Sequence, residues 1–431
     1  MNMYQSKEEP EWCHAGGGAT VSKVEPLSRL PDPAGGPGPS EPIALLCLGA
    51  GLFLGWSALF YLFGALLLPW ELETALSKAE LSLGLTAAIL VSALMAPFAG
   101  RLIDDGHGRL LLGGGALVGA LGLAGLSVST GHKSFVLAWM VIGVGQGACL
   151  FEPTFAFLAR VMRQRARTAI LLVGLIGGFA TLLAYPGAAL LTELYGWRIA
   201  VGSFALITAV IMAPLMYTGG ALLEPASLNL DRETRNRASR LALASARRRP
   251  AFWGLMISFV LLAFAEGVIL SHAVSAMVEF GQVEALALLA MTMLGPCMAT
   301  GRFCLLWFKP NGASFAIAII SALGMAAGSA LLPFVGEHAG IGLISIAVFG
   351  LGYGLIIVIK PILISECLGY LSIGAILGAL ALPCFIALAA APYSGALLWE
   401  RGGYDLAISV ATLAATIGAL GLVAVALSRR G

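Results

Sequence analysis

Long apolar runs alternate with short polar links along this chain, and the pattern predicts a bundle of membrane-spanning helices. A helix of about 20 apolar residues crosses the hydrocarbon layer of a bilayer. Twelve runs reach that length, near residues 43–69, 81–99, 110–129, 135–159, 169–192, 198–221, 251–277, 284–308, 314–334, 340–365, 371–397 and 405–428. Open strands leave backbone groups unsatisfied in lipid, so we predict an all-α integral membrane protein with twelve transmembrane helices.

One polar interval is longer than the other links and divides the twelve runs into six and six. It extends from Glu224 to Pro250 and carries seven arginines. We therefore predict two six-helix bundles, residues 43–222 and 251–431, joined by a basic cytoplasmic linker at 223–250. The residues before them, 1–42, are polar and rich in Gly and Pro, which predicts a disordered cytoplasmic tail.

An internal repeat supports the two-bundle division. Gly143, Gly145 and Gly147 recur 207 residues later as Gly350, Gly352 and Gly354. Because both halves have six spans and begin on the same side, the repeat is parallel. The bundles are thus expected to be related by a pseudo-two-fold axis along the membrane normal.

The distribution of positive charge predicts the orientation in the membrane. Of the 25 Lys and Arg residues, 19 fall in the N-terminal tail, the C-terminus and the links on one side, and only Lys78, Lys133, Arg198 and Arg401 on the other. The side rich in Lys and Arg is normally cytoplasmic. We therefore expect both termini in the cytoplasm, and a bacterial inner (plasma) membrane as the location.

Composition excludes several classes of protein. Hydrophobic residues make up 59% of the chain and charged residues only 11%, so a soluble fold cannot bury the apolar surface. The net charge of +2 gives no sign of nucleic-acid binding, and the seven cysteines lack metal-ligand spacing. A phosphate-binding loop and a recognisable catalytic constellation are also missing, so we expect no cofactor, no metal and no enzyme activity.

The link between the second and third runs is short, charged and rich in glycine, spanning Gly100 to Arg109. Two helices joined by so short a link form a hairpin with the link at a membrane face. This stretch resembles the most specific motif of the major facilitator superfamily, through Gly100, Leu102, Asp104, Gly108 and Arg109. It departs from the motif at Asp105, where the family usually has Arg, and in the second Gly, which falls one residue late.

The resemblance covers about residues 43–428 and implies the major facilitator fold, with Gly100, Asp104, Gly108 and Arg109 acting as a gating motif. A narrower resemblance, to bacterial carriers related to monocarboxylate transporters and oxalate–formate antiporters, rests on two segments. These run from Lys78 to Asp104 and from Gly295 to Arg302. In the carboxylate carriers an arginine in span eight holds the substrate anion, which implies that role for Arg302.

Four charged residues lie inside the apolar runs: Glu152, Glu266, Arg302 and Lys360. A guanidinium at the depth of Arg302 costs on the order of 3 kcal/mol or more unless it faces water or a partner. Its planar fork of donors matches a carboxylate. The alternative is that Arg302 extends its charge to the membrane surface, or that it is a relic of the repeat with Arg101.

The other three charges lie next to Pro or Gly, residues that allow a helix to bend around a cavity. We predict proton coupling for Glu152 and Glu266, and substrate binding for Lys360 beside Arg302. Trp56 and Tyr61 in the first span are further candidates for the substrate pocket. Fixed ion pairs between helices, or ordinary aromatic packing, are the alternatives for these residues.

The function predicted from these features is secondary active transport of a small organic anion, with a monocarboxylate as the favoured class. Alternating access, driven by proton symport or by exchange, would move the substrate. One alternative is proton-driven efflux of drugs or other hydrophobic compounds, and another is a membrane receptor or scaffold that transports nothing. The expected partners are a small-molecule substrate, protons and the lipid bilayer; the oligomeric state is left open, with a monomer as the simplest expectation.

Overall fold

The computed structural model describes residues 40–162, 165–224, 243–308, 314–336, 338–368 and 373–428, and these residues are helical with no strand. Residues 1–39 and 225–242 lie outside the described ranges. The predictions of a disordered tail and of a long basic linker therefore concern mainly parts of the chain that the structure does not describe.

The helices follow one another through short links, and we number them α1 to α12 in chain order. Several contain an internal break, which is given with the bounds. The bounds are α1 Glu41–Glu73, α2 Lys78–Asp104, α3 Gly108–Ser127, α4 His132–Cys149 and Phe151–Met162, α5 Ala166–Gly177 and Thr181–Tyr195, α6 Trp197–Leu223, α7 Pro250–Glu279, α8 Glu284–Phe308, α9 Ser314–Leu331, α10 Ala339–Leu368, and α11 with α12 together Ile373–Ser428.

The last of these stretches contains two membrane crossings. The described residues hold 11 helices that are long and apolar enough to span a bilayer, and the final one has 53 residues. At 1.5 Å per residue it would be roughly 80 Å long, more than twice the hydrocarbon thickness. The helix turns at Gly402 and Gly403, whose backbone angles are not helical. Gly403 has φ 65°, a left-handed conformation that favours glycine. We therefore assign α11 to residues 373–401 and α12 to residues 404–428, which gives the twelve spans expected from the sequence.

Repeated glycines let α4 and α10 approach their neighbours closely. A Cβ atom built on Gly143 would lie 2.7 Å from Ala88 Cα in α2, and one on Gly145 would lie 2.6 Å from Gly119 Cα in α3. In membranes, helices associate through such close van der Waals contact between small residues.

The equivalent glycines of α10 make the equivalent contacts. A Cβ atom on Gly354 would lie 2.6 Å from Met298 Cα in α8, and one on Gly352 would lie 2.9 Å from the Met325 nitrogen in α9. The glycine repeat found in the sequence thus has the same packing role in both halves, with α8 and α9 taking the places of α2 and α3.

In the described part of the chain, three helix pairs make the main contacts between the first six helices and the last six. α1 packs on α7, α2 packs on the α11–α12 stretch, and α5 packs on α8. Each half also has its own apolar interior. In the first half this includes the fully buried rings of Trp70 and Trp139, with Phe63 packed edge-on against Trp139.

We predict that adding a methyl group at the α4 or α10 glycines will destabilise the protein. Gly143→Ala and Gly354→Ala should each lower stability by about 1–3 kcal/mol, because the new Cβ meets backbone atoms that have no room to move. The measurement is the thermal unfolding midpoint of the purified protein in detergent. Gly114→Ala is the matched control, since a Cβ there meets nothing within 4 Å. Equal midpoints for all three variants would contradict this account of the packing.

Candidate functional site

Four helices of the first half lose regular α-helical geometry at a similar depth, and in α6 the irregular stretch is the π-helical Thr208–Met212. α1 has a π-helical stretch at Ser57–Tyr61, α4 breaks at Leu150, and α5 breaks after Gly177. The Ser57 hydroxyl lies 2.7 Å from the Ala180 carbonyl oxygen within the α5 break. Irregular backbone at membrane depth is tolerated where it is buried in protein or lines a cavity, and π-helical turns are frequent at functional sites. The breaks therefore mark the level of the candidate site.

Arg302 projects from α8 into this level, and most of its hydrogen-bonding capacity is unused. The side chain is only 6% exposed. Its Nη1 donates to the Gly174 carbonyl oxygen of α5 at 2.8 Å, whereas Nε and Nη2 are buried without a hydrogen-bond partner among the described residues. Buried polar groups are almost always hydrogen-bonded. Two unpartnered donors on one edge of a guanidinium thus form a site that fits both oxygens of a carboxylate.

Two tyrosines and a glutamate surround Arg302. Tyr61 of α1 and Tyr353 of α10 are each 4% exposed and close enough to Arg302 for electrostatic interaction. Tyr353 also interacts electrostatically with Glu266 of α7. The structure therefore brings Arg302, Tyr61 and Glu266 together from three helices, and it adds Tyr353.

Lys360 is the second cation of this region. Its Nζ lies 3.5 Å from Cys384 Sγ and 5.2 Å from the centroid of the Phe259 ring. Lys360 interacts electrostatically with both Glu152 and Glu266, yet it forms no ion pair with a carboxylate in the described part of the chain. The two cations and two carboxylates thus balance in charge while none is held in a direct ion pair.

Glu152 faces a cavity of about 180 Å³. Gly100 and Ile103 at the end of α2 also line this cavity, so it lies toward the side of the molecule that carries the Gly100–Arg109 link. We call this side the basic face. The complete lining is Ser92, Ala93, Ala96, Ala99, Gly100, Ile103, Gly147, Glu152, Pro153, Ala156 and Phe385. Glu152 is an exposed residue, and because it lines the cavity its side chain is accessible to water there.

The predicted gating motif lies at the basic face, away from Arg302. Asp104 is the last residue of α2, and Gly106 follows with φ 83°. Gly108 and Arg109 donate their backbone N–H groups to the two carboxylate oxygens of Glu224, at 2.7 Å and 3.2 Å. The link is therefore anchored to the end of α6, with Glu224 at the positive N-terminus of α3.

The opposite face, where α1 meets α2 and α7 meets α8, is closed by a buried lysine. Lys78 is 6% exposed, and its Nζ lies 3.3 Å from Glu71 and 4.0 Å from Glu279. The same ammonium lies 3.5 Å from the centroid of the Trp399 ring and 4.9 Å from that of Tyr404. We call these five residues the Lys78 cage.

The cage joins the two halves of the chain. Glu71 and Lys78 come from the first half, and the other three residues from the second. Glu279 also accepts hydrogen bonds from the Trp399 indole nitrogen at 2.6 Å and from the Tyr404 backbone at 2.9 Å. A desolvated cation between carboxylates and aromatic faces is strongly held, so this face is closed.

A threonine of α5 supplies a hydrogen bond that a proline in α8 removes from the helix. Pro296 has no N–H, so the Thr292 carbonyl oxygen one turn earlier lacks its helical donor. The Thr181 hydroxyl donates to that oxygen at 2.9 Å and accepts a hydrogen bond from the Gly295 N–H at 2.8 Å. Together with the Arg302–Gly174 bond, this fastens α5 to α8 near the candidate site.

His272 occupies a structural position between α7, α11 and α12. It is fully buried, with Nε2 lying 2.8 Å from the Pro392 carbonyl oxygen and Nδ1 lying 3.3 Å from the Tyr404 hydroxyl. These partners connect it to the Lys78 cage.

The sequence predicts Lys78 only as a charge in a link at the membrane face, and Tyr353 and Thr181 are not among the site residues that it predicts. The spacing of seven between Tyr353 and Lys360 on α10 is a usable signal, because it sets both residues on one helix face. The cage offered no such signal, since its members are far apart in the chain.

Comparison with known proteins agrees with this architecture. A sequence profile described as the Major Facilitator Superfamily matches residues 45–369. No curated protein sequence matches the chain.

Solved structures of similar shape are transporters. A bacterial homolog of the human lysosomal transporter Spinster, inward-facing and occupied, has 13% sequence identity and a TM-score of 0.67, with 91% of this chain and 98% of the other covered. The unoccupied inward-facing structure has 15% identity and a TM-score of 0.61, covering 91% and 96%. A mutant of the nucleoside transporter NupG has 12% identity and a TM-score of 0.70, covering 89% and 99%. At these identities the similarity establishes the fold.

We predict that Lys78→Met will open the face closed by the cage. Without the ammonium, Glu71 and Glu279 repel each other and two aromatic rings lose their cation. Hydrogen exchange at the ends of α1 and α7 nearest the cage should rise by about tenfold or more, a change of about 1.4 kcal/mol in local opening.

The matched control is Lys133→Met, an exposed lysine of the same face with no ion pair among the described residues. Unchanged exchange in Lys78→Met would show that the cage does not hold this face closed.

Proposed function

The chain belongs to the Major Facilitator Superfamily of membrane transporters, and on this premise we propose that it carries a small organic anion across the membrane by alternating access. The favoured class is a monocarboxylate, driven by protons or by exchange for another anion. Family membership and the apolar helices also establish a multi-pass membrane protein, and point to a transporter and not an enzyme.

One observation carries the choice of an anion: the buried edge of Arg302. Its Nε and Nη2 have no hydrogen-bond partner among the described residues, and they point away from the Nη1 that is bound to Gly174. A carboxylate would satisfy both donors and neutralise the charge, which removes the cost of an unpaired buried cation. A neutral hydrophobic substrate would leave that cost in place, so the site favours the anion over drug efflux.

The balance of charge around the site supports coupling to protons. Arg302 and Lys360 offset Glu152 and Glu266, so a bound anion adds one uncompensated negative charge. Protonation of either glutamate restores the balance. Glu266 interacts electrostatically with Tyr353 beside the site, and Glu152 reaches the cavity from which a proton can arrive.

The contrast between the two faces supports alternating access. The Lys78 cage joins the halves at one face, while the Glu152 cavity extends toward the basic face. Transport then requires the cage to open as the basic face closes. The excess of Lys and Arg at the basic face favours a cytoplasmic location for that side, and with it inward-facing geometry in an inner membrane.

We predict that Arg302→Lys will lose most transport although it keeps the charge. Lysine lacks the planar fork and cannot reproduce the two parallel hydrogen bonds to a carboxylate. Uptake of carboxylates into proteoliposomes with an imposed pH gradient should fall by about 10- to 100-fold, the equivalent of 1.5–3 kcal/mol for a charged hydrogen bond.

Arg401→Lys is the control, because Arg401 is exposed at the end of α11. Uptake that survives unchanged in Arg302→Lys would remove Arg302 from the substrate site and favour hydrophobic efflux instead.

We predict that Glu266→Gln or Glu152→Gln will separate two modes of transport. Gln keeps the size and polarity of Glu but cannot release a proton. The variant of the coupling residue should lose accumulation driven by a pH gradient while it retains exchange of labelled for unlabelled substrate.

Glu400→Gln, at an exposed position beside Arg401, should retain both modes. Loss of accumulation and exchange together would identify the glutamate as structural, and retention of both modes would exclude it from coupling.

A further inference from the structure

Three aromatic rings line one side of the candidate site without being fully buried. Trp56 of α1 lies 4.7 Å from Phe151 of α4, measured between ring centroids, and Phe151 is stacked on Phe155 at 4.9 Å with an interplanar angle of 21°. We call these rings the aromatic shelf.

All three rings are half-buried, unlike the fully buried Trp70 and Trp139 of the first-half core. Phe151 and Phe155 flank Glu152 on the half of α4 that lines the cavity. The shelf therefore packs against the first-half core on one side and keeps part of its ring surface accessible beside the candidate site.

The glycines of α5 bring the shelf and Arg302 close together. A Cβ atom on Gly177 would lie 3.1 Å from the Phe151 ring, and one on Gly174 would lie 3.2 Å from Phe155 Cζ. The carbonyl oxygen of Gly174 also holds the guanidinium of Arg302 at 2.8 Å. The rings of Phe151 and Phe155 and the guanidinium of Arg302 thus pack against the same five backbone residues of α5, Gly174 to Gly178.

Tyr61 connects the shelf to Arg302 by a second route. Its ring centroid lies 5.9 Å from that of Trp56, and it interacts electrostatically with Arg302. A ligand whose head group is bound by the guanidinium therefore has its body next to aromatic faces.

The unsatisfied polar atoms around the shelf include indole and hydroxyl donors. The indole Nε1 of Trp56 and the hydroxyl of Tyr185 are buried without a hydrogen-bond partner among the described residues, in addition to the two free nitrogens of Arg302. The ring centroid of Tyr185 lies 6.5 Å from that of Tyr61. This surplus of donors suits an anionic head group, and the flat rings suit a flat body.

We propose that the transported anion is an aromatic carboxylate, with its carboxylate on Arg302 and its ring on the shelf of Trp56, Phe151 and Phe155. This inference rests on the proposed function, since it names the substrate class of the same site. An aliphatic acid binds the same guanidinium but leaves the aromatic faces without a matching surface.

The first test compares acids that share a head group. Uptake of radiolabelled benzoate and of radiolabelled acetate is measured in proteoliposomes with an imposed pH gradient, with unlabelled benzoate, phenylacetate, cyclohexanecarboxylate and acetate as competitors. We expect the two aromatic acids to compete at about tenfold lower concentration than acetate, and at about threefold lower concentration than cyclohexanecarboxylate, which matches benzoate in size but is not flat.

The outcomes separate this inference from the proposed function. Uptake of acetate that depends on Arg302, with no preference for aromatic acids, would overturn the aromatic class and leave anion transport standing. An equal advantage for cyclohexanecarboxylate would also overturn it, because size alone would then explain the preference. Absence of uptake of every carboxylate would overturn both.

The second test removes the shelf. Trp56→Leu and Phe155→Leu should each reduce the ratio of benzoate to acetate uptake by about three- to tenfold. Trp56→Phe keeps a ring at that position and should retain most of the preference, which also guards against misfolding of the leucine variant.

Trp253→Leu is the control, an aromatic ring that is 49% exposed near the start of α7. A benzoate preference that is unchanged in both shelf variants would show that the ring of benzoate binds elsewhere and would contradict the proposal.

Discussion

The cost of holding ions inside an apolar helical bundle is the constraint on which this structure depends. An ion moved from water into a dry protein interior loses several kcal/mol of hydration that only partners or water can replace. Arg302, Lys360, Glu152 and Glu266 meet this constraint through mutual balance of charge, without direct ion pairs among the described residues, and Glu152 also lines a cavity. Such an arrangement leaves the charges free to respond to a ligand or a proton.

Backbone irregularity serves the same constraint. Two carbonyl oxygens on either side of the α5 break accept a side-chain hydrogen bond in addition to their backbone bonds. The Gly174 oxygen accepts from the Gly178 N–H and from Arg302, and the Ala180 oxygen accepts from the Ala184 N–H and from the Ser57 hydroxyl. Polar backbone thereby becomes part of the site, while the aromatic shelf supplies its apolar side.

Packing between helices relies on small residues, because lipid removes the hydrophobic advantage of bringing helices together. The glycines of α4 and α10 provide close contact within each half. Close glycine packing also occurs between the halves, where Gly64 of α1 meets Leu270 of α7 and Gly295 of α8 meets Gly178 of α5. The contacts between the halves add polar groups to this packing, as in the Lys78 cage and the Thr181 hydrogen bonds.

The sequence by itself determined the membrane class, the twelve spans, the parallel repeat and the identity of the four charged residues within the apolar runs. Each of these follows from hydropathy, length or composition, which are local properties of the chain. Gly402 and Gly403 already separate the last two spans in the sequence, as they do in the structure.

Only the tertiary structure decided which groups meet. The pairing of Lys78 with Glu279, Trp399 and Tyr404 joins residues more than 190 positions apart, and the electrostatic interaction of Tyr353 with Glu266 joins α10 to α7. The same holds for the free edge of Arg302, which exists because only one of its nitrogens reaches Gly174. Such contacts depend on the relative positions of helices, and a hydropathy pattern that repeats from span to span carries no information about which side chain will face which.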